Sequence, residues 1–156
     1  IGVMCEVLDR RFQAAGIHDT PVFDSEDTLE YLCHMSGGHV RNLLIYFRSS
    51  LDYADKLPVT RDAVSRGIQQ HINAYSRSIP EEHWKLLARL HRDPNRYIPK
   101  DDKHQEMLGD LSILEDRNGG EPWYAVNPVV RELDKFKRAL ETIKDEGASK
   151  GTSARE

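Results

Sequence analysis

The chain has 156 residues and a net charge of -4, with 38% hydrophobic and 31% charged residues. This length predicts one ordinary domain or two small ones, and the charge differs from that of a generally basic nucleic-acid-binding protein. No apolar run is long enough to span a membrane, and the first residues are charged too early for a signal peptide.

The start of the chain and its two cysteines suggest what the chain belongs to and which redox compartment it occupies. The sequence begins at Ile1 without an initiator methionine, so we expect it to be part of a longer protein. Cys5 and Cys33 form neither a CxxC motif nor a disulfide framework, and both lie on apolar helix faces. We therefore expect two free thiols and a reducing cytoplasm.

Residues 1–79 have the pattern of four helices and no strand. The first helix covers residues 3–15 and ends at Gly16. The second is capped by Asp24 or Ser25 and ends at a double glycine. The fourth is capped by Thr60, and its apolar positions at helical spacing are Val64, Ile68, Ile72, Tyr75 and Ile79.

The third helix has the clearest amphipathic pattern and begins directly after Gly37 and Gly38. Its apolar positions predict a buried stripe made of Val40, Leu43, Leu44, Phe47, Leu51 and Ala54. The polar positions fall away from that stripe and are Arg41, Asn42, Arg48, Ser49, Asp52 and Lys56. A double glycine fits a sharp angle between helices or a close approach of backbone to a ligand.

The pattern changes after Pro80, where a new helix is predicted to start. An extended Tyr97-Ile98 piece and a short helix over residues 101–110 follow. Two β-rich runs, 112–116 and 123–126, then flank a turn that contains Asn-Gly-Gly, which predicts a hairpin. Asn127 and Pro128 begin the last helix, and the segment after residue 144 has no large apolar residue, which predicts disorder.

Two stretches together resemble the C-terminal region of bacterial AAA+ and STAND-type P-loop ATPases. The Ser-Gly-Gly-x-x-Arg-x-Leu-Leu pattern of residues 36–44 looks like the helical lid that follows the nucleotide-binding core in that family. Residues 114–128, with the Arg-Asn-Gly-Gly turn, resemble the wing of the domain that often comes next. The resemblance implies a mainly α fold: a lid-like bundle in 1–79, a small winged-helix domain with one β-hairpin in 80–144, and a disordered tail in 145–156.

The resemblance also implies a nucleotide-sensing site in the first half of the chain. Arg41 corresponds to the sensor-2 arginine, which reaches the γ-phosphate of ATP, and Gly37, Gly38 and His39 would lie beside it. The sequence has no GxxxxGK[ST] motif, so ATP would bind only together with a core domain that this chain lacks. The chain alone is then not expected to hydrolyse ATP, although the parent protein would be an ATPase.

The winged-helix region is expected to contact a partner. Acidic residues outnumber basic ones between Pro80 and Arg131, and the helix over 101–110 is acidic, which disfavours contact with phosphates. A protein partner is therefore preferred to DNA, with the contact predicted at Arg117, Asn118, Trp123 and Tyr124.

Other interpretations remain open from the sequence. The chain could be a winged-helix DNA-binding regulator with a helical dimerisation arm, or a scaffold for protein interactions. Arg41 could be an ordinary surface residue, and the two glycines only a tight connection. A metal site at Cys33, His34 and His39 is not expected, because Cys33 lies on the core stripe and further ligands are missing.

Overall fold

The computed structural model describes residues 2–18, 20–117 and 120–152, and it describes side chains up to residue 144. Within these residues the fold is mainly helical with one antiparallel hairpin, so the predicted fold class is confirmed. The elements in chain order are α1 (Gly2–Ala14), α2 (Glu26–Met35), α3 (Val40–Leu51), α4 (Arg61–Ser78), α5 (His83–Arg92), α6 (Asp102–Gly109), β1 (Ile113–Asp116), β2 (Trp123–Val126), α7 (Pro128–Arg131) and α8 (Asp134–Thr152).

The chain forms two compact units, Ile1–Asn73 (unit 1) and Ala74–Glu156 (unit 2). The boundary lies inside α4, whereas the sequence placed a domain boundary at Pro80. The last residues of α4 therefore belong to unit 2 and precede α5 and α6 there. Helix α5 begins at His83 after a turn, in which the His83 amide donates to the Pro80 carbonyl over 3.0 Å.

Polar side chains define the helix ends in unit 1. Of the two residues that the sequence offered as caps for α2, Ser25 is the N-cap, because its Oγ accepts from the Thr28 amide over 3.2 Å. The carboxylate of Asp24 instead accepts from the backbone amide of Arg61 at the start of α4, over 3.3 Å. Gly16, after α1, has a φ of 76°, which fits the predicted stop there.

The core of unit 1 combines aliphatic residues with an aromatic cluster. The rings of Phe12, Phe23 and Phe47 lie 5.5–6.2 Å apart between centroids and join α1, the segment before α2, and α3. Edge and tilted contacts of this kind add to the stabilisation from burial alone. The buried apolar residues of this core include Leu8, Leu32, Cys33, Met35, Leu43, Val59, Val64 and Ile68.

Helices α3 and α4 approach closely at Gly67. A Cβ placed there would lie 2.6 Å from the backbone nitrogen of Ser50 and 2.8 Å from the backbone carbon of Ser49. Near this crossing the Ser49 Oγ lies 2.9 Å from His71 Nε2, and the Tyr46 ring centroid lies 4.9 Å from that of His71. Small side chains on both helices therefore allow the backbones to come together.

This crossing corrects the predicted orientation of α3. Asn42 and Ser49 were expected to face solvent, but they are only 6% and 9% exposed, whereas Val40 and Leu51 are 40% and 42% exposed. The helix is covered on its serine side as well as its leucine side, because α4 packs there. Hydrophobicity alone did not predict this, since the buried contact is made by small polar residues.

Unit 2 has α5 against α8, with the hairpin beside them. The predicted hairpin is confirmed: β1 pairs antiparallel with β2, from Ile113 opposite Val126 to Asp116 opposite Trp123. Its turn residues Asn118 and Gly119 lie outside the described residues. The core residues of this unit include Trp84, Leu87, Ala88, Ile98, Met107, Ile113, Val126, Val129, Val130 and Phe136.

A buried asparagine joins the hairpin to the last helices. Asn127 is fully buried, and its Oδ1 accepts from the Val129 amide over 3.1 Å and so caps α7. The sequence predicted this cap, but for one continuous last helix, which the structure divides into α7 and α8. Its Nδ2 donates to the Leu111 carbonyl over 2.9 Å and to Tyr75 Oη over 3.4 Å. One side chain thus bonds to three groups, and Tyr75 Oη in turn donates to the Leu111 carbonyl over 3.5 Å.

The end of the chain differs from the expectation in one respect. Helix α8 extends to Thr152, although the sequence predicted an ordered end near residue 144. Residues 153–156, the rest of the segment predicted to be disordered, lie outside the described residues.

Replacing Gly67 by alanine should destabilise the protein, because the new methyl group would meet backbone atoms of α3 that cannot move independently. We expect a loss of about 1–3 kcal/mol in the free energy of unfolding. Urea denaturation followed by circular dichroism measures this. The matched control is Gly109→Ala at the end of α6, where a Cβ meets nothing within 4 Å. Equal stability of the two variants would contradict the close crossing.

Candidate functional site

The turn between α2 and α3 has an unusual backbone. Gly37 and Gly38 are consecutive residues with φ values of 64° and 80°, a conformation that glycine adopts without steric cost. A Cβ on Gly38 would meet nothing within 4 Å. Glycine is therefore favoured here by the positive φ and not by a lack of space. The buried Ser36 fixes the start of the turn, because its Oγ donates to the Cys33 carbonyl over 2.7 Å.

Helix α3 begins without a cap. Its N-cap residue is His39, which has extended backbone and makes no side-chain hydrogen bond to the first turn. The first turn also contains no acidic residue. Within the described part of the chain, the backbone amides of Val40, Arg41 and Asn42 have no acceptor. Three donors at the positive end of the helix dipole are therefore available to an anion.

The side chains around this helix start are basic or contain unpaired nitrogen. Arg41 is exposed, and it forms no hydrogen bond or ion pair with any residue that the structure describes. Asn42 is 6% exposed, and its Nδ2 has no acceptor; the Nδ1 atom of His39 is also buried without a partner. Leu43 is fully buried and anchors the helix. Unpaired buried polar atoms are rare in folded proteins and call for an explanation such as a ligand or water.

The structure thus brings the four predicted nucleotide-side residues, Gly37, Gly38, His39 and Arg41, into one turn and the first helical turn after it. Such an arrangement can bind a phosphate: amides supply directed donors, and a guanidinium supplies a permanent charge with two parallel N–H groups. Asn42 belongs to the same helix start but was missed, because an asparagine between arginine and leucine has no distinctive pattern.

The residues predicted to contact a partner lie in different surroundings in unit 2. Arg117 is exposed, and its Nε donates to Glu115 over 2.7 Å, which raises the pKa of the arginine. Asn118 lies outside the described residues. Trp123 and Tyr124 are half-buried on successive positions of β2, so their side chains lie on opposite faces of the hairpin. Trp123 and Tyr124 therefore do not share one face of β2.

The two cysteines are close together in unit 1. Their Sγ atoms lie 3.4 Å apart, between α1 and α2, and both are free thiols. Burial, and then the contact with Cys5, raises the pKa of Cys33 to about 12. Cys33 therefore remains a neutral thiol near pH 7, as expected for a small hydrophobic core residue.

A separate groove of about 570 Å³ lies in unit 1. It is formed by the second half of α1, the segment that follows it, and the start of α2. None of the predicted site residues lines it. Asp9 and Glu26 line this groove, and their negative charges would repel an anion.

Neither the described residues nor comparison with known proteins identifies a function. Among the described residues no group of three or more histidine, cysteine, aspartate or glutamate side chains could hold a metal ion. No described helix has the length and apolar content needed to cross a bilayer. No protein-family model, curated protein or solved structure matches the chain.

Capping α3 should stabilise the protein. In the variant His39→Ser a hydroxyl can accept from a first-turn amide, and an unpaired buried nitrogen is removed. We expect a gain of about 0.5–2 kcal/mol in the free energy of unfolding, measured by urea denaturation. His39→Asp should gain as much or more, since its charge also interacts with the helix dipole. If both variants are less stable than the unsubstituted protein, the first turn of α3 does not lack a hydrogen-bond acceptor.

Proposed function

We propose that this chain is the lid and winged-helix region of an AAA+/STAND-type P-loop ATPase and that the start of α3 senses the terminal phosphate of bound ATP. The observation that carries the proposal is the uncapped start of α3, with Arg41 exposed beside three unpaired amides. Its first turn also lacks acidic residues.

The physical case for phosphate has two independent parts. The amides and the dipole of α3 favour negative charge at its N-terminus, and a charged group there is typically stabilised by about 0.3–1 kcal/mol. Arg41 adds a charge that cannot be lost at physiological pH and that can bind two phosphate oxygens at once. A γ-phosphate offers both the charge and the oxygens, and its loss on hydrolysis would release both contacts together.

This arrangement supplies only half of a nucleotide site. The chain contains no GxxxxGK[ST] segment, so ATP and its magnesium ion would be bound by a P-loop core domain. In the proposed cycle the lid closes on the core when Arg41 reaches the γ-phosphate and relaxes after hydrolysis. Unit 2 then passes the nucleotide state to a partner. A reducing bacterial cytoplasm suits the two free thiols.

Arg41→Ala should impair ATP turnover in the protein that contains both this chain and its P-loop core. A hydrogen bond to a charged group contributes about 1.5–3 kcal/mol, so we expect turnover to fall by about tenfold to a hundredfold. The measurement is steady-state phosphate release, with circular dichroism to verify folding. Arg48→Ala is the matched control, since Arg48 is also exposed on α3 and has no partner among the described residues.

Equal turnover in the Arg41 and Arg48 variants would eliminate the sensor role. The proposal also fails if no P-loop core accompanies this chain in the same protein or complex. His39→Asp gives an independent comparison with His39→Ser: both can cap α3, but only the aspartate places a negative charge where the phosphate would lie. The aspartate variant should lose turnover while the serine variant retains it.

A DNA-binding regulator with a helical dimerisation arm is the second candidate, because the hairpin and the flanking helices occur in the winged-helix order. Against it, Asp102 and Glu106 are exposed on α6, the helix before the hairpin, and Arg117 is paired with Glu115. This candidate predicts duplex binding that weakens steeply with salt. Gel-shift assays at low ionic strength test it, and absence of a shift would remove it.

A further inference from the structure

The two cysteines of unit 1 form a pair of thiols that the proposed nucleotide site does not use. Cys5 lies in α1 and Cys33 lies in α2, and their Sγ atoms are 3.4 Å apart although 28 positions separate them in the chain. A disulfide has an Sγ–Sγ distance of about 2.05 Å, so the two sulfur atoms need to approach by only about 1.4 Å. The pair is therefore close enough for a disulfide to form through a small rotation of the side chains.

The two thiols differ in their access to solvent. Cys5 is half-buried in the first half of α1, whereas Cys33 is only 2% exposed. An oxidant dissolved in water can therefore reach Cys5 more easily than Cys33. The raised pKa of Cys33 also keeps this thiol neutral, and a neutral buried thiol reacts slowly with oxidants. Oxidation is thus expected to begin at Cys5, with Cys33 as the neighbouring second thiol.

The two helices that carry the cysteines are held to different degrees. Cys33 is fixed in the core of unit 1, and its carbonyl accepts from the Ser36 Oγ over 2.7 Å. Within α1 only Leu8 is buried, and the ring of Phe12 adds contacts with the other two phenylalanines of the aromatic cluster. A covalent bond at Cys5 would therefore add a strong link to a helix that otherwise depends on few buried side chains.

We propose that Cys5 and Cys33 are a redox-sensitive modification site, at which a peroxide converts the two thiols into a disulfide that links α1 to α2. In a reducing compartment the pair remains as two thiols, and the disulfide forms only when peroxide is present. Disulfides of intracellular proteins are usually transient and serve catalysis or redox sensing. Redox-sensing cysteines commonly combine an accessible thiol with an adjacent thiol that completes the disulfide.

The reaction consumes one molecule of peroxide and proceeds in two steps. Cys5 Sγ, after losing its proton to water, attacks one oxygen of hydrogen peroxide; an S–O bond forms, the O–O bond breaks, and the hydroxide that leaves takes up a proton to become water. Cys33 Sγ then attacks Cys5 Sγ; the S–S bond forms, the S–O bond breaks, and the hydroxyl group leaves as water with the proton of Cys33. The two thiols lose two electrons, which reduce the peroxide to two water molecules.

The whole chain tests this proposal without any substitution. Reduced protein is treated with hydrogen peroxide, and its free thiols are titrated after unfolding. We expect the two thiols of the sequence to fall to none, with a loss of two hydrogen atoms in mass and no change from monomer in non-reducing electrophoresis. The oxidised protein should melt about 5 °C or more above the reduced protein, because the cross-link restricts the unfolded chain. Dithiothreitol should restore both thiols and the lower melting temperature.

Two serine variants distinguish the roles of the thiols. In Cys33→Ser, peroxide should convert Cys5 to a sulfenic acid that dimedone labels, because no second thiol completes the disulfide. In Cys5→Ser, the buried Cys33 should react with peroxide at least about tenfold more slowly than Cys5 does in Cys33→Ser. Neither variant should gain melting temperature on oxidation, which separates the disulfide from oxidation of methionine. Circular dichroism shows that each variant folds.

Three outcomes would overturn the proposal. The first is persistence of both free thiols after peroxide treatment. The second is a disulfide-linked dimer in which Cys33 is still free, which would show that Cys5 pairs between chains. The third is a disulfide within the chain that lowers the melting temperature, which would show that α1 and α2 must separate to form it. None of these measurements uses nucleotide or a P-loop core, so the test is separate from that of the proposed function.

Discussion

The reversal at Gly37 and Gly38 is the constraint on which the candidate site depends. Two successive residues with positive φ separate the end of α2 from the start of α3, and the N-cap residue that follows them, His39, makes no side-chain hydrogen bond to the first turn. Leu43, one turn into α3, is fully buried, and the exposed Arg41 adds positive charge at the uncapped helix start.

Each unit places a polar or small residue where backbone segments must meet. In unit 1, Gly67 allows α4 to approach the backbone of α3 at Ser49 and Ser50. In unit 2, Asn127 joins the segment before β1, the end of α4 and the start of α7 through its amide group. Close approach of two backbones determines the residue at position 67, and hydrogen bonding determines the residue at position 127. A larger apolar residue at either position would lose this fit.

The sequence was sufficient for the local features because local chemistry determines them. The caps Ser25, Thr60, Asp101 and Asn127 accept from amides two or three residues ahead, an interaction within one turn of chain. The hairpin follows from two β-rich runs around an Asn-Gly-Gly turn. The clustering of Gly37 to Arg41 could be predicted for the same reason, since these residues are neighbours in the chain.

Tertiary packing decided the rest, because it depends on contacts between residues far apart in sequence. Hydrophobic periodicity placed Asn42 and Ser49 on the solvent side of α3, but the crossing at Gly67 buries Ser49, and Asn42 is also buried. The amide of Asn127 meets Tyr75 Oη and the Leu111 carbonyl, which lie 52 and 16 positions away in the chain. The sequence alone therefore determined the helices, their caps and the hairpin, while the tertiary structure decided which faces are buried and which polar groups distant in the chain meet.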